Sequence, residues 1–217
     1  MKVWKISILA VLFAPLCFGQ LEPTELRLVG GKNLSSFIYR DDANQKDEQL
    51  QYNLLNAFGV SLNLEGGKHQ LRPELMFRQA GARSSYENLS LSWELNYLNL
   101  SVAYLYEVAR LGMFSLSPGV GVNGAFLLSG DQYIGEQRLS VIEEESIRRL
   151  YKGAQGIANA RAFVTDNITL SLEYRFGIGV TQIENDINDQ MTRNIYHGVL
   201  FGIGFNLSKE QTRSRFN

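Results

Sequence analysis

Cysteine is almost absent: the 217-residue chain has one, Cys17. A single thiol cannot close an intramolecular disulfide, so covalent staples are excluded as the source of stability. Cys17 also falls inside a segment, 1–19, that reads as an export leader. Lys2 and Lys5 form its basic start, and 6–16 is an apolar core too short to cross a bilayer as a helix. Cys17 and Gly19 place small residues three and one before Gln20, so cleavage is expected after Gly19. The competing reading makes Cys17 a lipid-bearing residue, but that wants a small residue before it, and Leu16 is bulky. The exported chain is then expected to be cysteine-free, an unusual condition outside the cytosol.

Long hydrophobic runs are also missing. After the leader no stretch of about 18 apolar residues exists, so no transmembrane helix is expected. Basic residues are not in excess: 21 Lys and Arg, two of them in the leader, face 22 acids, which argues against a nucleic-acid partner. Proline is scarce, at four, while glycine reaches 20, phenylalanine 12 and tyrosine 10. That balance suits long twisted strands.

The stretch 168–180 shows such a strand most clearly. Ile168, Leu170, Leu172, Tyr174, Phe176, Ile178 and Val180 alternate with Thr169, Ser171, Glu173, Arg175, Gly177 and Gly179. Successive side chains in a strand point to opposite faces, giving one apolar and one polar face. The run is longer than an ordinary soluble strand of about 5–6 residues and fits a tilted membrane-crossing strand of about 9–11. Seven further strands are predicted at 26–38, 52–64, 69–79, 89–106, 114–128, 153–164 and 194–207. In 69–79, Arg72, Glu74 and Arg78 oppose Leu71, Leu75 and Phe77, with Pro73 requiring a local bulge or shifted start. In 89–106 the apolar parity changes after Tyr97, which predicts a β-bulge there and places Glu94 on the polar face. A short helix is predicted within 139–151, where Glu143, Glu144 and Glu145 precede Arg148 and Arg149.

The connections sort by length. Segments 39–51, 80–88, 129–152 and 182–193 are longer than 65–68, 107–113 and 165–167. In an up-and-down meander the long set lies at one end and the short set at the other, the arrangement of outer-membrane barrels. The expected fold is therefore all-β: an eight-stranded antiparallel up-and-down transmembrane β-barrel over 20–207, followed by a polar tail, 208–217. A soluble lipocalin-like barrel is the structural alternative. Eight strands enclose a lumen that side chains can fill. Arg72, Glu74, Arg78, Glu94, Asn159, Arg161, Glu173 and Arg175 are expected to meet there as a salt-bridged plug. Leu170, Leu172, Tyr174, Phe176, Phe201 and Phe205 are expected to face lipid.

Several short pieces in order carry a likeness. They are Gly30-Gly31-Lys32-Asn33-Leu34-Ser35, Pro73-Glu74-Leu75 with Arg78-Gln79-Ala80-Gly81-Ala82, Tyr97-Leu98-Asn99-Leu100, Ser117-Pro118-Gly119-Val120-Gly121 and Glu173-Tyr174-Arg175-Phe176-Gly177-Ile178-Gly179. Together they resemble the PorT-like outer-membrane β-barrel family of Bacteroidetes, over nearly the whole exported chain. The resemblance implies an eight-stranded barrel, and one branch of the family serves a protein-secretion and gliding apparatus. The chain departs from the pattern in its ten-residue tail after Leu207 and in Asn99 and Ser101, where an acid and a proline are expected.

No residue pattern demands a cofactor, and none is expected. Two histidines, His69 and His197, fall at opposite ends of the predicted barrel and cannot share a site. Asp41, Asp42, Asp47, Glu48, Glu184, Asp186 and Asp189 gather on the long loops, where divalent cations bridging them to anionic glycolipid is a lesser alternative to a solvated face. The expected role is non-catalytic, in the outer membrane: structural, adhesive, or a component of an envelope or secretion complex. Its partners would be outer-membrane lipid and proteins of such a complex. A small-solute channel and a lipid-modifying enzyme are the alternatives.

Overall fold

A computed structural model describes residues 21–40, 50–86, 89–144, 147–184 and 191–207. The segment 1–19 expected to be a leader, the loop acids Asp41, Asp42, Asp47, Glu48, Asp186 and Asp189, Glu145 of the predicted helix, and the tail 208–217 lie outside these residues. The described strands are β1 (Glu22–Arg40), β2 (Gln51–Gly66), β3 (His69–Ala80), β4 (Ala82–Tyr86), β5 (Leu89–Tyr106), β6 (Ala109–Leu111), β7 (Phe114–Ile134), β8 (Gln137–Ser140), β9 (Leu150–Phe163), β10 (Ile168–Gly179) and β11 (Met191–Asn206).

Eight of them close a ring in the order β1, β2, β3, β5, β7, β9, β10, β11, each antiparallel to its neighbours. Closure is made by β1 and β11, paired without interruption from Glu25↔Asn206 to Arg40↔Met191. A closed ring leaves no unpaired sheet edge to face hydrocarbon, which is why such barrels can span a membrane. The three remaining strands extend the wall. β4 carries on from β3 against β5, β8 folds back on β7, and β6 forms a short hairpin with β7 at the opposite end. Gly67, Gly112 and Gly135 turn the β2–β3, β6–β7 and β7–β8 hairpins at φ 62°, 56° and 59°, a left-handed conformation that costs other residues energy.

Burial alternates along every wall strand, most regularly in β10. There Thr169, Ser171, Glu173 and Arg175 are buried, while Ile168, Leu170, Leu172, Tyr174 and Phe176 are exposed. The inverse of a soluble core results. Charged and polar side chains fill the inside, and the outside is a continuous belt that includes Leu28, Phe58, Leu100, Val122, Leu172, Phe201 and Phe205. Only a lipid surround makes that distribution favourable, so the chain is an integral outer-membrane barrel.

Some expectations are corrected. The parity change in 89–106 is not a bulge in β5. Leu95, Tyr97, Asn99, Ser101, Ala103 and Leu105 are all buried, so odd positions face inward throughout. The register shift lies between Asn96↔Ser129 and Tyr97↔Leu127, and the extra residue is Leu128 of β7. Glu94 therefore faces outward and is exposed, opposite Asp131, and does not belong to the lumen network. Residues 139–151 hold no helix among those described: they contribute to β8, a turn and the start of β9. Finally, Pro73 causes no shift. The β2–β3 ladder skips the pairing opposite Pro73 and Arg72 and resumes in the same register, Ser61↔Glu74 and Leu64↔Leu71.

Candidate functional site: the barrel lumen

The lumen has two tiers. The inner tier is ionic and is centred on Glu173 of β10. Glu173 Oε2 accepts hydrogen bonds from Arg72 Nη1 at 2.5 Å and Arg27 Nη2 at 3.1 Å, and Oε1 accepts from Arg175 Nε. Arg175 also forks onto Glu74, with Nη1 and Nη2 each 2.5 Å from one carboxylate oxygen. Neutral groups complete the set. Arg27 donates to Ser61 Oγ, Asn159 Oδ1 and Ser171 Oγ, Arg72 Nε donates to Asn63 Oδ1, and Ser101 Oγ donates to Glu74. A second pair joins Arg161 Nη1 to Glu65 Oε1 at 2.5 Å, with Glu107 3.9 Å from Arg161 and itself held by Arg110.

The topology of these pairs decides what the lumen can do. β3 and β10 are four places apart in a ring of eight, directly across from one another, and so are β2 and β9. Arg72–Glu173, Arg175–Glu74 and Arg161–Glu65 therefore each run across the axis. A passage wide enough for water would leave these side chains partly accessible, yet Arg27 is 0%, Arg72 1% and Glu173 1% exposed. Glycines provide the room. A Cβ at Gly204 would meet the Glu25 carboxylate and one at Gly177 would meet the Tyr196 ring, so a larger residue at either would evict a lumen side chain.

The upper tier begins at Arg78. Its guanidinium lies over the Tyr196 ring, 4.1 Å from the centroid, and Nη2 donates to the Tyr151 hydroxyl. Tyr151 meets Tyr97 edge to face at 5.1 Å. Above them an apolar cap includes Phe37, Leu95, Leu127, Val141, Ile147 and Ile183. Val141, Ile147 and Ile183 come from the connections at that end: the backbone of Arg148 donates to the Ile183 carbonyl, and Ile147 bridges to Glu184. Beyond the cap, on the β7–β8 hairpin, Asp131 accepts a hydrogen bond from Arg138 at 2.8 Å and raises that guanidinium above its ordinary pKa.

Of the residues expected inside, the structure places Arg72, Glu74, Asn159, Arg161, Glu173 and Arg175 in the ionic tier and Arg78 under the cap, and turns Glu94 out. Leu170, Leu172, Tyr174, Phe176, Phe201 and Phe205 are all on the exterior. Arg27, Glu25 and Glu65 are lumen residues that the sequence reading does not name. Arg27 is visible in principle, since it alternates with Leu26 and Leu28. The histidines are separate: His69 bonds Tyr104 OH at 2.6 Å near the short-turn end, and His197 bonds Tyr174 OH at 2.7 Å on the outer wall. Among the described residues no three His, Cys, Asp or Glu side chains converge as metal ligands.

No family model matches the chain, and no curated protein matches it. Solved structures do. A major outer membrane protein from Thermus thermophilus is similar at TM-score 0.50 and 13% identity, over 85% of this chain and 99% of that one. The outer membrane protein OprG from Pseudomonas aeruginosa matches at TM-score 0.49 and 10% identity, over 87% and 98%. Neisserial surface protein A matches at 0.44 and 8%, over 83% and 96%. At such identities the likeness speaks to the barrel fold alone.

Proposed function

We propose that this barrel is a non-catalytic envelope protein: a sealed anchor that holds its extracellular strands and loops in place for adhesion or for docking to an envelope or secretion complex. The observation that carries the reading is the set of ion pairs running across the axis beneath an apolar cap. A solute channel needs an open axis, and a rim enzyme needs convergent catalytic groups. Here the axis is crossed by Arg72–Glu173, Arg175–Glu74 and Arg161–Glu65, and His69 and His197 are bound to tyrosines on separate parts of the wall. The extracellular end supports a docking role, because the β4–β5 and β7–β8 pairs carry the sheet past the point where apolar residues leave its outer face. Membership of the PorT-like family, suggested by the motifs at Gly30–Ser35 and Glu173–Gly179, fits such a role and is part of the proposal.

Planar bilayers test it. The reconstituted protein is expected to give no steady openings, and only rare brief ones as the cap fluctuates. Sustained ohmic conductance would overturn the sealed-anchor reading in favour of a channel.

A further inference from the structure

The outer wall carries a strip that the lumen does not account for. Lys32, Asn56, Gln79, Asn96 and Ser129 stand on five successive strands of the ring, β1, β2, β3, β5 and β7, and all face outward. They are linked in one direction. Lys32 Nζ donates to Asn56 Oδ1 at 2.7 Å, Asn56 Nδ2 to Gln79 Oε1 at 2.8 Å, Gln79 Nε2 to Asn96 Oδ1 at 3.1 Å, and Asn96 Nδ2 to Ser129 Oγ at 2.9 Å. On the short-turn side the strip is bordered by Phe58, Phe77, Leu98 and Phe126, with Phe58 and Phe77 stacked at 5.0 Å. On β1 and β2 apolar side chains lie beyond it as well, Leu34 and Leu54, so Lys32 and Asn56 sit inside the apolar belt.

Polar side chains facing lipid are costly and are kept where they are used. The strip satisfies only part of its own demand. An ammonium has three N–H groups and each carboxamide nitrogen two, and the ladder uses one from each. What is left is a set of donors with one positive charge and no acid within the strip. Among the described residues the outward acids of this region, Glu94 and Asp131, lie at the far end from Lys32, and Asp131 is engaged by Arg138. The missing partner is an anion with several acceptor oxygens, held at the outer edge of the apolar belt, one outward position short of Leu34 and Leu54.

We propose that the strip binds the phosphate of an anionic lipid in the outer leaflet. Lys32 pairs with the phosphate, and the spare N–H groups of Asn56, Gln79 and Asn96 take its remaining oxygens or the adjoining ester and sugar oxygens. The acyl chains lie on Phe58, Phe77, Leu98 and Phe126.

Native mass spectrometry of the full chain in detergent, offered equal amounts of dioleoyl phosphatidylglycerol and dioleoyl phosphatidylethanolamine, tests this. Wild type is expected to retain phosphatidylglycerol, the anionic one of the two, preferentially. Lys32→Met removes the charge from a lipid-facing position, so folding should not suffer, and retention is expected to fall about fivefold, the effect of one basic residue at an anionic surface. The double variant Asn56→Leu with Gln79→Leu keeps Lys32 but breaks the ladder, and is expected to lose retention too. Soluble glycerol phosphate, which lacks the chains, is expected not to compete. Equal retention of both lipids by wild type would overturn the proposal. So would unchanged retention in Lys32→Met, displacement by glycerol phosphate, or a dimer that dissociates on Lys32→Met without loss of lipid.

Discussion

Glu173→Ala is expected to destabilise the barrel by about 3–5 kcal/mol, as when one partner of a buried ion pair is removed. The reason is local. Arg27, Arg72 and Arg175 all donate to this carboxylate, and among the described residues Arg27 and Arg72 have no other acid within ion-pair distance. Two buried guanidiniums would then keep only serines and asparagines as the hydrogen-bond partners seen here. Arg175 would keep Glu74. Urea unfolding in phosphatidylcholine vesicles, extrapolated linearly to water, gives the difference. Glu94→Ala is the control: an outward, exposed acid should change stability by no more than about 0.5 kcal/mol. Equal effects at the two positions would mean that the polar stripe of β10 does not face a closed interior.

Phe201→Arg should cost about 2–4 kcal/mol in the same assay, the penalty for a cation near the bilayer midplane on a barrel's lipid face. Phe201 is 66% exposed and lies within the apolar outward residues of β11, between Val199 and Ile203, with Ile195 and Phe205 further along the same face. On a water-soluble barrel the same change at so exposed a site would be close to neutral. The sign and size of this one value therefore separate a lipid-facing wall from a lipocalin-like one.

The parts of the molecule that are legible in the sequence are those where one medium covers a whole strand face. In β10 every outward residue meets lipid and every inward one meets the ionic lumen, so period-two alternation reveals both faces. β5 is different because it runs through two environments. Near the short-turn end its apolar residues Leu98, Leu100 and Val102 face lipid, while further out Leu95 and Tyr97 face inward to the cap. An apolar pattern that changes face looks like an inserted residue, and that misreading puts Glu94 inside. The true insertion, Leu128, sits in a Leu127-Leu128 pair that gives no parity signal. Residues 139–151 mislead for a related reason. Glu143 and Glu144 ahead of Arg148 and Arg149 suit a helix and its dipole, but Ile142 and Ile147 serve the cap, so the path of this stretch follows the shape of the lumen mouth. The outward polar strip is invisible in a single strand, since it is a row across five strands and exists only once the registers are set.

Nitroxide scanning of β10 and β11 tests the inside-out arrangement most directly. The chain has one cysteine, Cys17, so with Cys17→Ser as background single cysteines can be introduced one at a time for labelling. In lipid vesicles, labels at Leu170, Leu172, Tyr174, Phe201 and Phe205 should collide far more often with oxygen, which concentrates in hydrocarbon, than with a water-soluble nickel chelate. Labels at Thr169 and Ser171 should meet little of either. Nickel-chelate collisions that dominate at the first set, or that rise at the second, would contradict a lipid-clad barrel with a filled, ionic interior.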